Sequence, residues 1–182
     1  MTRIIPGVAG YKYVDPGVML EAGADGTRLH EIVEQFIHGE HDPDRVSLED
    51  AARVALFAEW YEPRKRDLVC CEKRMTSLVH DFNGQPDLVM RDGIYDLKRR
   101  RTMPKRDCLQ LAGYSLLVEE EYGIKTDNWY VLELTKDRKG VYRFRPVRVF
   151  HPQARALFLA LLQYYRRGER LDQQVRRFLE GV

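Results

Sequence analysis

Two acids and a lysine stand inside an apolar, strand-forming run of the 182-residue chain, GQPDLVMRDGIYDLKRRR at 84–101. Charge in such a run needs a partner or a metal, because burying an unpaired ion is costly. Asp92-Gly93 has the composition of a two-residue hairpin turn. Counting through that turn sets Arg91 opposite Ile94, Val89 opposite Asp96 and Asp87 opposite Lys98. Side chains alternate across a sheet, so Asp87, Val89, Asp96 and Lys98 share one face and Leu88, Met90, Tyr95 and Leu97 the other. The spacing therefore predicts a core face and a face that gathers two carboxylates and an ammonium. Diagonal neighbours of such a pair, about 7–8 Å apart at their backbones, can be bridged by one hard cation. A plain cross-strand ion pair would account for Asp87 and Lys98, but it leaves Asp96 beside a like charge.

Other residues of the same chemical kind stand at regular spacings. Gln110 and Tyr114 are four apart in a helical pattern and share a face. His30 and Glu34 lie one turn apart, and Glu72 sits mid-strand in VCCEKRM. Each has an alternative: a satisfied histidine at a helix edge, core-edge polar groups, or salt bridges from Glu72 to Lys73 and Arg74. Trp60, Tyr61 and Trp129 offer stacking surfaces or core packing.

Gly84-Gln85-Pro86-Asp87 followed by Asp96-Leu97-Lys98 resembles the PD-(D/E)XK nuclease pattern. Gln110 and Tyr114 match the QxxxY element of its RecB-like and lambda-exonuclease-like branches, and Gly26-Thr27-Arg28-Leu29-His30 matches their GxxxH element. The resemblance spans about residues 24 to 135, in order. It implies an α/β restriction-endonuclease-like core with a central mixed β-sheet of about four to five strands flanked by helices. The activity implied is metal-dependent hydrolysis of phosphodiester bonds in DNA, as an exonuclease of phage or bacterial recombination and repair. The alternatives are a structure-specific endonuclease or a non-cleaving nucleic-acid-binding module. Asp87 and Asp96 would hold Mg²⁺ or Mn²⁺, with the Leu97 carbonyl, His30 and Glu72 as further ligands. Lys98 would orient water, and Gln110 and Tyr114 would position the substrate. Arg99, Arg100, Arg101, Lys105 and Arg106, leaving the same strand, would grip DNA phosphates. Some relatives hold an iron–sulfur cluster on one early and three late cysteines; with no cysteine after Cys108, none is expected here. No Walker-type sequence is present, so a helicase or recombination partner would be a separate chain.

These residues must be carried by elements. Leu29, Ile32, Val33, Phe36 and Ile37 give a first helix ending at Gly39, after an irregular Gly- and Pro-rich lead-in over about 1–24. Ser47, with Asp50 three residues on, opens a second helix. The runs 67–79, 85–91 and 93–100 predict three antiparallel strands, turning at Asn83-Gly84 and Asp92-Gly93. A helix follows from about Pro104 to Tyr122, then strands at 128–135 and 140–150 around a DRKG turn. Two helices close the chain within about 152–180, in a single domain over 1–182.

The bulk composition narrows the possibilities. The chain is 44% hydrophobic and 32% charged, with a net charge of only +2, so nucleic-acid affinity must come from local basic runs such as KRRRTMPKR and EPRKR. Three cysteines without CxxC spacing argue against a zinc knuckle or disulfide framework. No run reaches the roughly 20 apolar residues of a membrane span, and the first residues lack a secretory pattern, which predicts a cytoplasmic protein without a membrane partner.

Overall fold

A computed structural model describes residues 16–40, 42 and 46–180, with side chains over 27–40, 42 and 46–170. Helices α1 (Pro16–His38) and α2 (Leu48–Tyr61) lead into a 3₁₀ turn, Glu62–Asp67. The strands are β1 (Leu68–Cys71), β2 (Met75–Ser77), β3 (Phe82–Gly84), β4 (Leu88–Met90) and β5 (Gly93–Lys98). Helix α3 (Pro104–Tyr122) crosses over to β6 (Trp129–Lys136), β7 (Tyr142–Arg148) returns, and α4 (Ala154–Glu180) ends the described chain. The expected mixed sheet has five strands in the order β1-β4-β5-β6-β7, with β2 and β3 forming a separate hairpin. Only the β5–β6 pair is parallel, as its helical crossover requires.

Local chemistry explains the helix limits. The Ser47 side chain accepts a hydrogen bond from the Asp50 amide at 3.1 Å and caps α2. Pro104 opens α3, and Gly123, with φ of 68°, ends it in the left-handed conformation.

Several expectations need correction. The part of the lead-in at 16–24 is helical, since Pro16 stands at the first position of α1, where its missing N–H costs nothing. Residues 1–15 of that lead-in lie outside the described residues. The run 67–79 is two strands in two sheets, broken at Glu72, whose φ is 47°. Asn83-Gly84 is not a turn but part of β3; the reversal lies between Ser77 and Phe82. Gly84 serves close packing instead, for a Cβ there would lie 2.9 Å from Leu117 Cδ1 and 3.1 Å from the Tyr114 ring. The two C-terminal helices are one, which runs through Gly168.

The β4–β5 register also differs. Leu88 pairs with Tyr95, Val89 with Ile94 and Met90 with Gly93, so Arg91 and Asp92 form the turn. Gly93 belongs to the strand because a Cβ there would meet the Asn128 carbonyl at 2.7 Å. That carbonyl accepts from the Ile94 amide at 2.9 Å as β6 begins alongside. Extended one step, this register sets Asp87 across from Asp96, not Lys98. A slip of two residues preserves the faces, so the predicted partition survives.

Both faces, however, are core. Leu88, Met90, Tyr95 and Leu97 pack with Leu29, Val33, Phe57 and Tyr61 of α1 and α2. Val89 and Ile94 pack under α3 with Leu111, Tyr114 and Leu117. The charges occupy the end of this second face, where the apolar cover stops.

Candidate active site

Three elements bring their side chains to that end of the sheet. His30 comes from α1, Glu72 from the kink after β1, and Asp87 from just before β4. Glu72 occupies a conformation that costs a non-glycine residue of order 1–2 kcal/mol. Its amide donates to the Asp87 carbonyl at 3.0 Å, which fixes the kink beside Asp87. His30 Nδ1 lies 2.8 Å from Glu72 Oε1 and 3.4 Å from Asp87 Oδ1. Gln85 Nε2 donates to Glu72 Oε2 at 2.9 Å, and the Leu97 amide donates to Asp87 Oδ2 at 2.5 Å. Lys73 turns away to Glu121, so it does not pair with Glu72.

Beside this trio lies a second group. Asp96 is wholly buried on β5, and Lys98 Nζ sits 2.8 Å from its Oδ1 and 2.7 Å from its Oδ2. Gln110 Nε2 donates to Asp96 Oδ1 at 3.0 Å and to the Tyr114 hydroxyl at 2.9 Å. The predicted shared face of Gln110 and Tyr114 is therefore present. Asp96 Oδ2 makes no well-directed hydrogen bond.

The electrostatics are strained. Burial pushes the Asp96 carboxyl up, Lys98 draws it down and Asp87 pushes it up again, leaving it at about 7. Burial likewise raises Asp87, against the pull of His30 and Lys98. For His30, burial disfavours the imidazolium, but Asp87 and Glu72 outweigh it and lift the pKa to about 9. Burial also opposes the charge of Lys98, which Asp96 and Asp87 restore and hold above its ordinary range. Several acids thus share too few cations, the condition an added divalent ion relieves.

His30, Glu72 and Asp87 each offer a ligand atom, and these atoms lie within 4.8 Å of one another. An ion about 2.0–2.6 Å from each donor requires this spacing. One imidazole and two carboxylates suit a hard or borderline divalent metal. All three belong to the expected ligand set, while Asp96, also in that set, is joined here to Lys98 and Gln110. Leu97 turns its side chain into the α1–α2 core and its amide toward Asp87.

The basic run divides. Arg100 forks onto buried Asp107, with Nη1–Oδ2 at 3.0 Å and Nη2–Oδ1 at 2.5 Å, and is thereby occupied within the protein. Arg101, Lys105 and Arg106 are exposed, and Arg99 is half-buried. Tyr61 and Trp129 are core residues, and Trp60 packs on Tyr95 and Phe144. Glu133 went unnoticed in the sequence, yet it is buried one strand from Lys98. An acid inside VLELT was its signal, by the argument that singled out Asp96.

Among the described residues, no helix is long and apolar enough to cross a membrane. No family model and no curated protein sequence matches the chain. Among solved structures, it is similar to a chain described as "Putative exonuclease" from Eubacterium rectale. The identity is 13% and the TM-score 0.46, over 94% of this chain and 70% of that one.

Proposed function

We propose that the protein is a Mg²⁺- or Mn²⁺-dependent deoxyribonuclease of the PD-(D/E)XK type, acting as an exonuclease in phage or bacterial recombination or repair. The observation that supports this most is the His30, Glu72 and Asp87 cluster standing beside the buried Asp96–Lys98 pair. His30, Glu72 and Asp87 would hold the ion, with Asp96 and the Leu97 carbonyl as the further donors that the sequence pattern implies. Such an ion supplies Lewis-acid activation of water and neutralises charge on the phosphate.

The protein's own groups do the rest. Lys98, fixed by both oxygens of Asp96, donates to the attacking water and stabilises negative charge at the phosphorus. Gln110 and Tyr114 position the substrate strand at the floor of the site. Arg99, Arg101, Lys105 and Arg106 contact flanking phosphates, while Arg100 braces the loop through Asp107.

The test uses labelled linear and circular DNA, single- and double-stranded, with Mg²⁺, Mn²⁺ or EDTA, beside Asp96→Ala and Lys98→Ala variants. Cleavage of linear substrates with metal, abolished by EDTA and by either substitution, is expected. No cleavage with either metal, or variants as active as the wild type, refutes the proposal. Cleavage of circles assigns an endonuclease instead.

A further inference from the structure

A third basic run lies in 136–145, KDRKGVYRFR, which carries five cations and one acid. It forms the turn between β6 and β7 and most of β7. The ladder places Lys98 beside Glu133 and Glu133 beside Arg145, so the three share one face in a row across three strands. Strands are about 4.8 Å apart, which sets Arg145 roughly 10 Å from Lys98 at the backbone. Arg143 pairs with Thr135 and shares that face, about 7 Å farther along β7. Helix α3 packs on β5 and β6. The Arg143 and Arg145 side chains remain 68% and 66% exposed.

Both guanidinium groups are held in the same manner. Arg145 donates from Nε and Nη2 to Glu133 Oε2 at 3.1 and 3.0 Å. Arg143 donates from Nε and Nη2 to Asp137 Oδ2 at 3.1 and 3.0 Å. These bonds use one edge of each fork and orient it, while Nη1 makes no hydrogen bond to another described residue. Glu133, only 3% exposed, is itself fixed from the other side, since its Oε1 accepts from the amide and hydroxyl of Thr102, each at 2.6 Å. Pro146 removes a backbone donor from this edge strand, so β7 is a poor template for an added strand. The exposed chemistry of the surface is two oriented cations in line with Lys98, flanked by exposed Arg138 and Lys139.

We propose that Arg145 and Arg143 form a phosphate-binding rail that receives the nucleic-acid strand as it passes Lys98, with Glu133 as the positioning residue that aims Arg145. This rests on the nuclease function proposed above and adds the path of the substrate across β6 and β7. Phosphate contacts of this kind position the strand without reading its sequence.

The test measures binding of fluorescein-labelled single-stranded and duplex oligonucleotides in EDTA, where no cleavage occurs, across a salt series. Arg143→Gln/Arg145→Gln should raise Kd about tenfold, irrespective of sequence. It should flatten the log Kd against log salt slope by about 0.7 per lost contact on single strands, or about 0.9 on duplex. In cleavage assays the loss should fall on KM. Arg145→Lys, which keeps the charge but not the two-bond edge, should lie between the wild type and Arg145→Gln. Arg143→Gln alone, at an exposed site, serves if the double variant unfolds. Unchanged affinity and slope overturn the rail. A wild type that binds but never cuts refutes the nuclease function and leaves the rail standing, whereas one that binds no DNA overturns both.

Discussion

Asp96 and Glu133 are both buried acids on neighbouring parallel strands, facing the same way, and they meet opposite fates. Glu133 accepts four directed hydrogen bonds, two from Thr102 and two from Arg145. Burial alone would raise its carboxyl, but these bonds win and hold it below its ordinary value. Asp96 shares one lysine with Asp87 and leaves an oxygen without a directed bond, so burial and repulsion hold it up at about 7. A buried acid with a complete set of donors braces a fold; one left short of cations stores a demand for one. The boundary between an acid that braces and the acids of the proposed reaction centre runs between β5 and β6.

The sharpest test of that boundary compares Lys98→Met with Glu133→Gln. Removing Lys98 leaves buried Asp96 without a cation, leaves Asp87 with His30 alone, and takes away the ammonium at the proposed reaction centre. Cleavage should fall by about 10²–10³-fold in kcat, and the metal-free protein should lose about 3–5 kcal/mol. Glu133→Gln should cost about 1.5–3 kcal/mol in lost charged hydrogen bonds, yet change kcat less than about tenfold. Single-turnover cleavage and urea unfolding read the two effects apart. Equal losses of kcat in both variants would erase the distinction between brace and site.

The next contrast is in pH. His30 has its pKa raised from 6.5 to about 9, so the stability from its imidazolium is complete below about 6.5 and is lost as pH rises through 9. Asp96 is an acid raised from 3.8 to about 7, so its ionisation removes stability as pH climbs between those values. Glu133 has the reverse sign: its contribution is present above the ordinary value of 4.5 and is lost as pH falls through the lower folded value. The metal-free melting temperature should therefore decline from pH 6 to pH 9. With His30 in the proposed ligand set, Mn²⁺ would displace its proton, so the stabilisation the ion gives should grow over the same range. Thermal melts with Mn²⁺ and with EDTA at four pH values measure this. A Mn²⁺ shift independent of pH would remove His30 from the ligand set.

How much of this was legible in the sequence depended on whether a feature was local. Asp87, Asp96 and Lys98 were placed on one face correctly although the register was wrong, because a two-residue slip keeps parity. Gln110 and Tyr114 follow from helical spacing alone. The turn at Asn83-Gly84 failed because Gly84 answers to a distant demand, room for Leu117 and Tyr114 of α3. The pairing of Arg100 with Asp107, seven residues on, was not legible, because nothing in a run of arginines shows which one a buried acid will take. Arg143 and Arg145 were passed over as strand residues, since only the ladder shows that they stand in line with Lys98. Partner choice across the sheet is tertiary, and periodicity does not carry it.

The smallest expected effect probes the floor of the site. Gln110 Nε2 bridges Asp96 Oδ1 and the Tyr114 hydroxyl, so that hydroxyl helps to aim the amide at the buried acid. Tyr114→Phe keeps the ring that fills the space beside Gly84 and removes one acceptor from Gln110. The loss of one neutral hydrogen bond is about 1 kcal/mol, which corresponds to roughly a fivefold fall in kcat if all of it appears in the transition state. Gln110→Ala, which also strips a donor from Asp96, should cost more and raise the Asp96 pKa further. Asp96 would then charge at higher pH, and the acid limb of the cleavage profile should move up in Gln110→Ala but not in Tyr114→Phe. A Tyr114→Phe loss as large as that of Lys98→Met would instead place the hydroxyl on the reacting phosphate and extend the reactive half of the cluster onto α3.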